Sequence, residues 1–205
     1  MNINLDTYYT KRKNVFDRIH NSNNIEKTAM VVLMACLTGI MAQIIIPLPW
    51  SPVPITGQTF AVLVSGLILG KKLGPLSQIL YFVLGIIGIN WFGGATGGLE
   101  IAFGSNFGYF IGFIFASMFI GYLTEKYAKS RKLRNIIPLM VIANFICIYV
   151  PGLIILAIWF NVTQGAYPDI ISLLVMGLIP FIIGDIVKII GASAISKALL
   201  PKTVN

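Results

Sequence analysis

Charge is scarce in this sequence: 11% of its 205 residues are Asp, Glu, Lys or Arg, where soluble domains carry about 25%. A water-facing surface cannot be built from so little, which excludes an ordinary soluble globule. Histidine is nearly absent. The single one, His20, lies in a polar N-terminal stretch and argues against histidine-centred catalysis. Two cysteines, Cys36 and Cys147, both lie in apolar segments, so neither a disulfide framework nor a metal site is expected. No Gly-rich stretch ends in Gly-Lys-Ser/Thr, which removes the phosphate-cradling P-loop and any nucleotide chemistry built on it. The net charge of +8 does not signal nucleic acid, because the basic residues form no patch interleaved with aromatics.

Hydrophobic residues are what the chain has, at 57%. The first apolar stretch follows about two dozen polar residues and is long enough to span a bilayer. It is therefore read as a transmembrane helix and not a cleaved signal segment. The expected fold is an all-α integral membrane bundle of six transmembrane helices, preceded by a cytosolic extension over 1–24 with a short helix around 11–19. The expected spans are 25–46, 55–69, 75–90, 105–124, 136–160 and 180–199. The last apolar region, 170–200, is too long for one crossing; Gly177 and Pro180 offer the break. In span 5, Pro151-Gly152 predicts a kink. Gly104, Gly108, Gly112 and Ala116 recur every fourth residue and predict a small-residue ridge for close helix approach.

Six spans put both termini on one side. Fourteen of the fifteen Lys and Arg residues then fall on that side, the exception being Lys188. Under the positive-inside rule that side is the cytoplasm, and the protein is expected in a cell membrane. Trp50, Trp91 and Trp159 all fall at the opposite face. That outer face also gathers a proline-dense loop (Pro47, Pro49, Pro52, Pro54) and the glycine loop Gly93-Gly94-Ala95-Thr96-Gly97-Gly98. Both are expected to close over a ligand as a lid.

The chemistry concentrates in Gly184-Asp185-Ile186-Val187-Lys188. A carboxylate and an ammonium three residues apart share one helix face. Within a bilayer each costs at least about 2.5–3.5 kcal/mol on insertion scales, so a partner or a ligand must offset the cost. An ion pair that only locks helices together is the alternative reading. Gln58, beside the proline loop, and Thr96 add convergent polar groups; Trp50, Trp91 or Trp159 adds an aromatic face. Gln78 is read as bonding backbone or another glutamine.

Pro52-Val53-Pro54-Ile55-Thr56 with Gln58-Thr59, the glycine loop, and Gly184-Asp185-Ile186-Val187-Lys188 follow one another in the order and spacing of a known family. Together they resemble the BioY family, the biotin-binding substrate components of energy-coupling factor (ECF) transporters. The similarity covers about residues 25–200. Gly104-Ser105-Asn106-Phe107-Gly108-Tyr109 also looks like a family stretch and brings Tyr109 into the candidate site. The resemblance implies that Asp185 and Lys188 contact biotin, and that the partners are a transmembrane coupling protein and two cytosolic ATPase subunits. Ala35 and Gly39 are the small residues of span 1 that it assigns to the coupling protein. No cofactor is implied and no enzymatic activity. The alternatives are a substrate component for another vitamin such as thiamine or riboflavin, or an intramembrane enzyme using Asp185 as acid or base. Against the enzyme, no second carboxylate, metal cluster or nucleophile dyad accompanies the pair.

Overall fold

A computed structural model describes residues 21–201, together with Arg12, Asn14, Phe16, Asp17 and Ile19. The first helix, α1 (Asn24–Ala42), starts at a reciprocal cap. The Glu26 amide donates to Asn23 Oδ1 at 2.8 Å and the Asn23 amide donates to Glu26 Oε2 at 3.2 Å, satisfying two helix-end donors at once. After it, Ile45–Ile46 (β1) and Ile55–Thr56 (β2) pair antiparallel and pinch the ends of the proline loop together. Those two strands are absent from the sequence expectation. β-branched residues flanking a donor-poor proline run suit a short ladder.

Helix α2 (Gln58–Ile86) is long enough for two crossings, and it is two. Gly70 sits at φ +76°, outside helical geometry, and the chain reverses there. Gln78 Nε2 donates to Ser65 Oγ at 3.0 Å and Gln58 Nε2 donates to Tyr81 Oη at 2.8 Å. In a straight helix the second pair would be about 34 Å apart. The gap left between the expected spans 55–69 and 75–90 thus holds a single non-helical residue, Gly70. Glu125 makes that possible by accepting from the Lys71 amide at 3.0 Å at the start of the returning arm.

A short helix, α3 (Leu99–Ala102), follows the glycine loop, and α4 (Phe107–Lys126) crosses next. Helix α4 packs chiefly on α2. Mid-membrane, Ser65 and Ser117 share a hydrogen bond at 2.9 Å, and Thr38 donates to Gln78 Oε1 at 3.3 Å. This buried cluster fastens α1, both arms of α2 and α4, with each polar group partnered as lipid requires.

Span 5 departs from expectation in an instructive way. It runs as α5 (Leu133–Ile142), a widened π turn over Ala143–Ile148, and α6 (Tyr149–Gln164). No break occurs at Pro151-Gly152. Proline lacks a donor and its ring crowds the carbonyl four residues back; here the π turn lies immediately upstream and helix continues through it. The ridge on α4 receives this turn: a Cβ on Gly112 would lie 2.5 Å from Ile148 Cα. The last region breaks as expected, into α7 (Ile170–Gly177), a 3₁₀ turn at Ile179–Phe181 containing Pro180, and α8 (Ile182–Leu199). Counting α2 as two, the described residues make six crossings.

At the end opposite the loops, buried Arg12 donates from its guanidinium to the carbonyls of Ser196 and Leu200. Arg131 donates from Nε to the Thr124 carbonyl at 2.7 Å and from Nη1 to that of Pro201 at 3.3 Å. The segment read as an extension therefore touches the bundle at Arg12. The rest of 1–11 lies outside the described residues.

Candidate ligand-binding site

The break at 178–181 fixes where the charged pair goes. Because α8 begins at Ile182, Asp185 falls in its first turn, beside the proline loop and the start of α2. Asp185 is 1% exposed and Lys188 retains 14% of its side-chain surface. Lys188 Nζ lies 2.6 Å from Asp185 Oδ1 and donates to the Thr56 carbonyl at 2.8 Å, which ties α8 to β2. Asp185 Oδ1 also accepts from Thr59 at 3.3 Å. Its other oxygen, Oδ2, accepts from Asn144 Nδ2 at 2.8 Å and from the Tyr149 hydroxyl. A carboxylate offers about four lone-pair sites, and all four are engaged.

Asp185, Lys188, Thr59 and Tyr149 form one wall of a cavity of about 440 Å³ at the loop-bearing end of the bundle. Small-molecule sites usually occupy about 300–1,000 Å³ and are mostly apolar with a few placed polar groups. Phe92, Phe110, Phe113, Trp159 and Phe181 supply the apolar part, and Pro52–Pro54 with Gly93 and Thr96 form the roof. The glycine loop is held by Gln43 at the end of α1. Gln43 Oε1 accepts from the Ala95 amide at 2.9 Å, and Nε2 donates to the carbonyls of Trp91 and Phe92 at 3.1 and 3.2 Å.

The sequence candidates divide between this cavity and the packed interior. Asp185, Lys188, Thr96, Gln58 and Tyr109 all line it. Thr96 donates its hydroxyl to the Gly93 carbonyl at 3.1 Å, and Tyr109 donates to the Gly177 carbonyl at 2.8 Å, so Tyr109 offers mainly its ring. Gln58 accepts from Thr56 at 2.8 Å while donating to Tyr81. Trp50 and Trp91 are not in the wall. Trp91 packs on α1, where a Cβ on Gly39 would lie 3.0 Å from its ring, and its indole donates to the Tyr81 carbonyl at 3.0 Å. Trp50 is 56% exposed on the proline loop, as an interfacial belt residue would be.

Ala35 and Gly39 likewise face inward; both are buried within this chain. That corrects their expected place on an outer contact surface. Small residues let α1 approach its own bundle, and the exposed face of α1 carries Val32, Leu33 and Ile40 instead. Sequence reasoning missed Thr59, Asn144 and Tyr149. An asparagine in the middle of an apolar span was the available signal for Asn144. Tyr149 carried no signal, since buried tyrosines are common.

A sequence model of the BioY family matches residues 12–204. The probable biotin transporter BioY of Methanothermobacter thermautotrophicus is 46% identical over 138 residues, 67% of this chain and 88% of its own length. The biotin transporter BioY of Thermotoga maritima is 34% identical over 155 residues, 75% of this chain and 85% of its own. A crystal structure of the S-component for biotin from an ECF-type ABC transporter superposes with a TM-score of 0.75 at 26% identity, covering 87% of this chain and 93% of that one. With six apolar crossings, a family match over nearly the whole chain and a shared fold, this membrane protein belongs to the BioY family.

Proposed function

We propose that the chain is the biotin-binding substrate component of an ECF-type vitamin uptake transporter in the cell membrane, with both termini in the cytoplasm. It takes biotin from outside and passes it to a coupling transmembrane protein driven by two cytosolic ATPase subunits. The observation that carries the reading is the pair Asp185–Lys188 in the wall of an outer, mostly apolar cavity. Relatives named as biotin transporters favour biotin over thiamine or riboflavin. Membership of a transporter family disfavours an enzyme using Asp185.

The geometry suits a cyclic urea. Asp185 Oδ1 accepts and Lys188 Nζ donates, with 2.6 Å between them. A ureido ring presents an N–H and a C=O side by side, so one edge can meet both groups, each bond strengthened by charge. The bicyclic ring and its thioether then lie against the aromatic wall. In this pose Lys188 serves the ureido carbonyl, and the carboxylate tail extends toward the loops.

Titration calorimetry of the purified chain with biotin tests the function. Wild type binds, while Asp185→Asn and Lys188→Ala each lose about tenfold or more, as expected for charged hydrogen bonds worth about 1.5–3 kcal/mol. A wild type that binds no biotin, or two variants that bind as tightly as wild type, overturns the assignment. Biotinamide separates the poses. If Lys188 serves the urea, Lys188→Ala weakens biotin and biotinamide alike; if it serves the tail, the effect disappears with the amide.

A further inference from the structure

Resting on that reading, we infer that Asn144 and Tyr149, brought together by the π turn of the fifth span, are positioning residues that hold the Asp185 carboxylate with Oδ1 toward the ligand. Five residues separate them, and in a regular α-helix such a pair points about 140° apart. The π turn changes this. Its bonds close over five residues, and the Tyr149 amide donates to the Asn144 carbonyl across that interval. Their side chains then converge on one atom, Asp185 Oδ2.

The two carboxylate oxygens are consequently unlike. Oδ2 is held by Asn144, fully buried behind the cavity, and by Tyr149, 3% exposed, whose ring also borders the cavity. Oδ1 carries Lys188 and Thr59, both in the cavity wall. The longest of the four bonds is the 3.3 Å one from Thr59 to Oδ1, so Oδ1 is where an incoming N–H most readily displaces a donor.

A second observation separates this role from ordinary packing. Asn144 Oδ1 is buried and has no hydrogen-bond partner. Turning the amide over would set that oxygen against Asp185 Oδ2, acceptor on acceptor, so the orientation is dictated by the carboxylate. An unmet buried acceptor destabilises a fold, and a residue chosen for packing alone would not carry one. The cradle in turn rests on α4, whose Gly112 admits the Cys147–Ile148 backbone at a distance no side chain tolerates.

The test is a double-mutant cycle read by biotin affinity. Tyr149→Phe removes only a hydroxyl, and Asn144→Leu removes the amide while keeping its branched shape. Each is expected to weaken biotin by about tenfold, and the loss is expected to shrink below about threefold when Asp185 is already Asn, because the cradle acts through that carboxylate. Equal losses in both backgrounds would mark a structural role and overturn the inference, as would wild-type affinity in both single variants. Should Asn144→Leu fail to fold, Tyr149→Phe decides alone. A wild type without biotin binding refutes the proposed function; a wild type that binds while the cradle variants match it refutes only this inference.

Discussion

Replacing Lys188 with methionine probes the pair at its most sensitive point. The ammonium lies 2.6 Å from Asp185 Oδ1 and donates to the Thr56 carbonyl, so Lys188→Met strands a carboxylate that is 1% exposed and frees β2 from α8. Breaking a buried pair by deleting one partner costs about 3–5 kcal/mol. Asp185 keeps Thr59, Asn144 and Tyr149 as donors, which places the cost at the lower end, about 3 kcal/mol. For a chain of this length each kcal/mol moves the melting midpoint by about 2–4 °C, so the ligand-free protein in detergent should melt about 6–12 °C lower. The double variant Asp185→Asn/Lys188→Met removes the stranded charge and should melt above Lys188→Met alone. Thermal unfolding followed by tryptophan fluorescence reads both. A single variant within about 2 °C of the parent, or a double variant lowered by the sum of the two single effects, would refute the reasoning, because the destabilisation would not arise from an unpaired charge.

Gly112→Ala should separate α4 from the π turn, since the added carbon would lie 2.5 Å from Ile148 Cα and 2.8 Å from the Cys147 oxygen. Overpacking of this kind costs about 1–3 kcal/mol. Gly93→Ala, whose nearest neighbour would be the tip of Ile45 at 3.4 Å, should leave the melting point almost unchanged, and a similar loss in both would count against the packing argument. Asp169 caps α7 by accepting from the amides of Ile171 and Ser172, and its hydrogen bonds to Ser172 hold its carboxyl below the usual carboxylate range. A depressed folded-state value means the cap stabilises above the ordinary carboxylate range and is lost as pH falls through the lowered one. The hydrogen-exchange protection of the Ile171 and Ser172 amides, taken relative to the intrinsic rate at each pH, should therefore fall on acidification past that range, and in Asp169→Ala should be low at every pH; unchanged protection in the variant would refute the cap. The proline and glycine loops roof the cavity, so limited proteolysis within 47–54 and 93–98 should slow when biotin is bound; an unchanged cleavage rate would refute lid closure.

How far the sequence reaches follows from the kind of constraint each feature obeys. The number of crossings, the break near Pro180 and the placement of Asp185 at the loop-bearing end of the bundle were all legible, because they depend on position along the helix axes. The bilayer penalises charge and unpaired backbone by depth, and depth can be counted along a chain. Which way a residue points around its helix is different. Ala35, Gly39 and Trp91 read as outer or ligand-facing groups, and in the fold the Trp91 ring packs on Gly39 while Ala35 is fully buried in the bundle. Asn144 and Tyr149, five apart, belong to different faces of any regular helix, so no periodicity joins them to Asp185. The reversal at Gly70 and the widened turn before Pro151 are accommodated by Glu125 and Gly112 on α4, far away in sequence. The sequence by itself determined the membrane, the spans and the depth of the charged pair, since those follow from hydration cost summed along the chain. Only the tertiary structure decided which donors hold the carboxylate and which aromatics face the cavity, because those depend on helix rotation, and rotation is set by neighbours distant in sequence.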